Sequence, residues 1–125
     1  MSIEAIREAA EVYRAEHSTW DVEKLMSYFA DDVVWQSPNQ PAVHGKQAVR
    51  AIVERMASNP AKRRMTHLRE FLGEDSIAVE WTVEHAGENG EWLPYRFGVN
   101  IYDVVDGKIT RIRLYGFLDE AHKNA

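Results

Sequence analysis

The stretch YDVVDGKITRIRLY, residues 102–115, decides the architecture of this chain. Two runs of β-branched and aromatic residues flank Asp106-Gly107, and a two-residue Asp-Gly loop signals a tight hairpin because its turn needs positive φ at both central positions. Such a turn pairs Val105 with Lys108, and counting back along both strands pairs Ile101 with Ile112 and Val99 with Leu114. Both of those rows are apolar, so the hairpin offers one face to a core and the alternate residues to the opposite side.

Toward the N-terminus the same texture continues. Gly73-Glu74 and Glu88-Asn89-Gly90 are further turn signals, which divide the second half of the chain into strands at 65–72, 76–86, 91–104 and 108–117. A three-residue Glu88-Asn89-Gly90 loop with Gly90 left-handed pairs Val83 with Tyr95, Trp81 with Phe97 and Val79 with Val99. A two-residue loop would instead set Glu80 beside Val99 and bury an unpaired carboxylate, so the longer loop is the better reading. The inner face is then Ile77, Val79, Trp81, Val83, Tyr95, Phe97, Val99, Ile101, Ile112 and Leu114. The outer face carries Asn100, Tyr102, Arg111, Arg113 and Tyr115.

The first half reads as helical. Ile3, Ile6, Ala10, Tyr13, His17 and Trp20 recur at spacings of three and four and share one stripe of a first helix. Thr19 or Asp21 can cap a second helix with Val22, Leu25, Met26 and Phe29 inward, ending at Ala30-Asp31-Asp32. Val33-Val34-Trp35 opens a strand, closed by the two prolines of PNQP. Gly45 then releases a third helix with Val49, Ile52, Val53 and Met56 inward. Helices first and strands afterwards, in 125 residues, predict a single α+β domain over 1–125, three helices lying on a mixed but mainly antiparallel sheet of about five or six strands.

Composition narrows the function. The chain is 45% hydrophobic and 28% charged, and no apolar run reaches the roughly 20 residues of a membrane helix. MSIEAIREAAE is acidic and lacks the pattern of a signal peptide, so a soluble, cytoplasmic protein is expected. A net charge of −5 argues against nucleic-acid binding. The one basic cluster, Lys62-Arg63-Arg64, reads as the solvated start of a strand. With no cysteine, and no HxxxH or HxH pair among His17, His44, His67, His85 and His122, neither a metal site nor a cofactor is expected.

Three motifs, YFADDVVWQSP (28–38), VHGKQAVRAI (43–52) and YDVVDGKITRIRLY, together resemble the nuclear transport factor 2-like superfamily, and within it the SnoaL-like polyketide cyclases and ketosteroid isomerases. The resemblance spans roughly residues 3–118. It implies a cone, a curved sheet wrapped around the three helices with an apolar pocket inside, and commonly a homodimer formed through the outer side of the sheet. The superfamily holds isomerases, cyclases, dehydratases, epoxide hydrolases and plain binding modules, so it specifies the fold better than the reaction.

Where the isomerases keep their aspartate base, just before the proline after FADD, this chain has Ser37. Their helix-1 tyrosine donor corresponds to Tyr13, and their second donor, a protonated aspartate on the penultimate strand, falls by hairpin register on Val99. A register shifted by one would put Asn100 there but would require a different turn at Asp106-Gly107. At the acidic positions of the epoxide hydrolases and many cyclases stand Leu114 and Phe117. A serine hydroxyl cannot remove a proton alpha to a carbonyl unassisted, which argues against ketosteroid isomerase activity.

His17, one turn after Tyr13, is the best remaining base, and the two would form an acid/base pair. His67 and Arg69 alternate with Met65 and Phe71 and are candidates for the inner face, while His44 reads as structural. Trp20, Trp35, Trp81, Tyr95 and Phe97 would either line a pocket for a flat apolar ligand or simply fill the cone. The expected site is thus Tyr13 and His17 as catalytic pair, with Trp35, Ser37, His67, Trp81, Tyr95, Phe97, Val99 and Leu114 as ligand contacts. The expected partner is a small apolar or polycyclic molecule, handled by a cofactor-free isomerase, cyclase or dehydratase or by a binding module without chemistry.

Overall fold

The structure, a computed structural model, describes residues 3–13, 19–58, 61–74 and 76–119. Its elements run α1 (Glu4–Tyr13), α2 (Val22–Met26), β1 (Phe29–Gln36), β2 (Val43–His44), α3 (Lys46–Ala57), β3 (Arg63–Leu72), β4 (Ser76–Ala86), β5 (Trp92–Val105) and β6 (Lys108–Leu118). Six strands form one curved sheet in the order β2-β1-β6-β5-β4-β3, antiparallel throughout except where β1 lies parallel to β6. This is the α+β architecture that the hairpin signals implied.

The helices supply the apolar filling. In α1 burial centres on Ala5, Ile6 and Ala9, rotated slightly from the expected stripe through Ala10. The Arg7 guanidinium, 2.9 Å from Glu70, ties this helix to β3. Asp21 is the cap of α2, accepting from the Lys24 amide at 3.0 Å, and Leu25 and Met26 beneath it are buried. The helix is shorter than expected. FADD, read as its end, already belongs to β1, and the Ile109 amide donates to the Tyr28 carbonyl at 2.8 Å to begin the parallel pairing with β6. From α3, Val49 and Val53 enter the core.

Both hairpin turns form as expected, yet the facing of β5 is reversed. Asp106 and Gly107 have φ of 51° and 78°, the two positive angles of the anticipated turn, and Val105 pairs with Lys108. The Glu88-Asn89-Gly90 loop is also present, with Gly90 at φ 81° and the Gly87 amide donating to Glu91 at 2.7 Å. Beyond each turn, however, a bulge slips the ladder. Between Val83 and Glu84 the partners jump from Arg96 to Pro94, leaving Tyr95 extra; between Asp103 and Val104 they jump from Arg111 to Ile109, leaving Thr110 extra. The observed rows are therefore Trp81 with Gly98, Val79 with Asn100, and Tyr102 with Ile112.

Phe97, Val99 and Ile101 consequently leave the inner face, where they were expected. Gly98, Asn100, Tyr102 and Val104 take their place, and Asn100 and Tyr102 leave the outer one. The physical cause lies in Trp81. A Cβ on Gly98 would come within 2.7 Å of the indole, and one on Gly116 within 2.8 Å, so the ring needs these two paired glycines beside it. A Phe97 side chain opposite Trp81 would overfill that space.

A third bulge, at Leu68 in β3, has the same effect on a smaller scale. His67, opposite Trp81, stays inward, whereas Arg69 pairs with Glu80 and turns out with Phe71. Among the described residues, no helix is long and apolar enough to cross a membrane.

Candidate functional site

Between α3 and the inner face of the sheet lies a cavity of about 610 Å³. Its wall is apolar: Trp35 from β1, Ile52 and Met56 from α3, Met65 from β3, Trp81 and Val83 from β4, and Leu114 from β6. Ile52, Arg55 and Met56 reach it together because residues at i, i+3 and i+4 share a helical face. Tyr95, the extra residue of the β5 bulge, also lines it, so the bulge that turns Phe97 outward brings Tyr95 in.

Polar side chains form the rest of the cavity's edge. Ser37, Asn39 and Gln40 come from the proline-bounded loop after β1, and Arg55, Arg63 and Arg96 from α3, β3 and β5. The Tyr95 ring organises part of this edge. His85 meets it edge-on at 5.5 Å, and the Arg63 and Arg96 guanidinium carbons lie 4.4 and 5.9 Å from its centre. Arg63 was expected to be solvated with its neighbours. Strand alternation separates them instead: Arg64 turns out to bond Glu84 at 2.9 Å and cover the Trp92 ring, while Arg63 turns toward the cavity.

Deeper along β5 every polar group found is matched. Trp81 Nε1–H donates to Asn100 Oδ1 at 2.8 Å, and Asn100 Nδ2 donates to the Tyr102 hydroxyl at 3.2 Å. Because its N–H is occupied by Asn100, Trp81 presents only apolar surface to the cavity. Burial pushes the Tyr102 phenol up to about 12, against the opposing effect of its bond to Asn100. It stays protonated at any ordinary pH.

The expected ligand residues thus separate. Trp35, Ser37, Trp81, Tyr95 and Leu114 line the cavity, with Ser37 following Trp35 just beyond the end of β1. His67 faces inward beside Met65 without lining it, and burial brings its imidazole down to about 4 although Glu70 pulls the other way. Phe97 and Val99 lie on the outer face, where with Leu68, Glu80, Thr82, Tyr115 and Phe117 they bound a second recess of about 390 Å³. The Tyr13 side chain and all of His17 lie outside the described residues. Asn100, not Val99, faces inward at this point of β5, opposite Leu114. The shift arises from the Thr110 bulge, with the Asp106-Gly107 turn unchanged.

The cavity residues that sequence reasoning missed include Ile52, Arg55, Met56, Met65, Arg63 and Arg96, besides Val83, Gly116 and the loop residues Pro38, Asn39 and Gln40. Ile52 and Met56 had been assigned to the core, and Arg55 sits between them on the same face. Arg63 precedes Met65 by two in a strand, which is the spacing of a shared face.

A helical layer on a curved six-stranded sheet, enclosing a cavity, is the arrangement of a SnoaL-like domain. Residues 9–112 match that family, and the chain belongs to it. Among solved structures the chain is similar to TerC co-crystallised with polyporic acid, at 20% identity over 98% of this chain and 94% of that one, with a TM-score of 0.71. It is also similar to the Delta 5-3-ketosteroid isomerase from Mycobacterium sp., at 26% identity over 90% of each chain and a TM-score of 0.66. Rv0760c from Mycobacterium tuberculosis, solved in complex with estradiol-17beta-hemisuccinate, aligns at 23% identity over 90% of this chain and 91% of that one, with a TM-score of 0.68. No curated protein matches the chain in sequence.

Proposed function

We propose that this protein binds a small apolar or polycyclic molecule in the cavity between α3 and the sheet. The observation that carries the reading is the cavity's composition: a largely apolar wall with two tryptophans, and a small set of polar side chains. The ligands held by TerC and Rv0760c support the same chemical class. Trp35 and Trp81 line the cavity, so ligand binding should quench tryptophan emission. Titration with an uncharged steroid ketone and with anthraquinone should give saturable quenching by at least one, abolished in Met56→Trp, which fills the cavity from α3. Absence of quenching by both, or quenching unaffected by Met56→Trp, would remove the reading.

Catalysis by Tyr13 and His17 as a cofactor-free acid/base pair is the extension of this reading for an isomerase, cyclase or dehydratase. It requires a pH-dependent rate that His17→Ala abolishes while ligand affinity survives. Binding without turnover, unchanged in that variant, is the alternative. The serine at position 37 speaks against a ketosteroid isomerase reaction, since a hydroxyl is no base able to shuttle a proton.

The homodimer also belongs here. Leu68, Phe71, Phe97, Tyr115 and Phe117 are exposed on the outer face of the sheet, an apolar surface that a second copy would cover. Light scattering at micromolar concentration should give twice the chain mass, reduced to the chain mass by Phe117→Asp. A single domain over residues 1–125 and a cytoplasmic setting complete the proposal.

A further inference from the structure

The edge of the cavity carries positive charge that the described residues do not neutralise. Arg55, Arg63 and Arg96 arrive from three different elements, and among the described residues no aspartate or glutamate lines the same cavity. Elsewhere five arginines are matched with a carboxylate, Arg7 with Glu70, Arg50 with Glu23, Arg64 with Glu84, Arg69 with Glu80 and Arg113 with Asp103, while Arg111 donates to Gln36. None of the three edge arginines has such a partner among the described residues. Arg63 is the most telling, because its Nε is buried and has no hydrogen-bond acceptor there.

Such an arrangement is unfavourable on its own. A buried N–H left without an acceptor loses its bond to water with nothing in return, and guanidiniums gathered around one Tyr95 ring repel each other. In a chain of net charge −5, with twenty acidic residues, an edge without a carboxylate among the described residues is a local feature and no consequence of composition. A ligand carboxylate removes both costs. It offers two oxygens to the planar fork of a guanidinium, and its charge offsets the repulsion.

We infer that the ligand has a flat apolar body bearing a carboxylate, the body against Trp35 and Trp81 and the carboxylate at the edge formed by Arg63, Arg96 and Arg55. This assignment rests on the proposed reading of the cavity and adds the charge of its ligand. It also makes Arg63 and Arg55 specificity-determining residues, since they would distinguish an acid from its uncharged counterpart.

The test compares anthracene-2-carboxylate with anthracene-2-carboxamide, which share a shape and differ in charge, by fluorescence titration of the full chain at neutral pH. The acid should bind about tenfold tighter or more, as expected for charge-assisted hydrogen bonds in a partly dry site. Added salt should shrink that preference and leave the amide's affinity unchanged. Arg63→Gln should reduce the preference severalfold. Arg55→Gln, on an exposed position of α3, should do so without touching the sheet, and serves if Arg63→Gln fails to fold. Equal binding of acid and amide, both blocked by Met56→Trp, would overturn the carboxylate and spare the cavity. Binding of neither would overturn both. An acid preference that survives in Arg55→Gln and in any folded Arg63 variant would overturn the assignment to this edge.

Discussion

The two ends of β5, each with the strand or side chains beside it, treat polarity in opposite ways. At the deep end Trp81, Asn100 and Tyr102 are buried, and each polar side-chain group named there has found a partner at 2.8 or 3.2 Å. At the open end Arg63 and Arg96 both approach the Tyr95 ring, and among the described residues no carboxylate lines the cavity there. With β4, β5 thus holds a closed network, which stabilises, and with β3 an incomplete one, which we propose recognises the ligand. Unmatched polar groups in a cavity wall point to what the cavity takes, whereas matched ones describe only how the wall stands.

Substitutions at the deep end should therefore act first on stability, and those at the open end on binding alone. Trp81→Ala should be the most damaging, about 3–5 kcal/mol, since it empties the space beside Gly98 and Gly116. Chemical denaturation would read it as a large drop in midpoint. Asn100→Ala should cost about 1–3 kcal/mol by stranding the Trp81 N–H. Combined with Trp81→Phe it should cost less than the two single effects added together, because the donor has then gone too. Strict additivity would mean the hydrogen bond contributes nothing.

His67 supplies the intermediate effect and a sign that can be checked. Burial holds its imidazole at about 4 in the folded protein, against 6.5 as the ordinary value. Between those values the unfolded chain binds the proton and the folded one does not, so stability is full above about pH 6.5 and declines as pH falls toward 4. At pH 5 the loss relative to neutrality should be about 2 kcal/mol, and His67→Gln should remove that part of the pH dependence. An unaltered slope in the variant would show that His67 is not held neutral.

At the open end Ser37→Ala should weaken ligand binding by about tenfold or less, since a hydroxyl contributes about 0.5–1.5 kcal/mol. Arg55→Gln should change stability least, within about 0.5 kcal/mol, while altering ligand choice. A larger stability loss there would mean Arg55 belongs with the structural end.

The elements were legible because their signals are local. Asp106-Gly107 and Asn89-Gly90 set the turns, and the apolar spacings set α1 and α3. The facing of β5 was not legible from turns alone, because a bulge of one residue reverses every side chain beyond it. Signals for it did exist: Pro94 cannot donate to a ladder, and Gly98 and Gly116 mark a close approach by a large side chain. Reading those three residues against Trp81 would have brought Asn100 inward and sent Val99 out. The arginine edge was illegible for another reason. Arg55, Arg63 and Arg96 are distant in sequence, and only the folded sheet and α3 bring them to one cavity.

The most direct measurement is a crystal structure of the protein with anthracene-2-carboxylate. The expected result is one molecule between α3 and the sheet, its rings against Trp35 and Trp81 and its carboxylate hydrogen-bonded to Arg63 or Arg96. A cavity closed by its own side chains, or the molecule seated instead on the outer face beside Phe97 and Phe117, would contradict it.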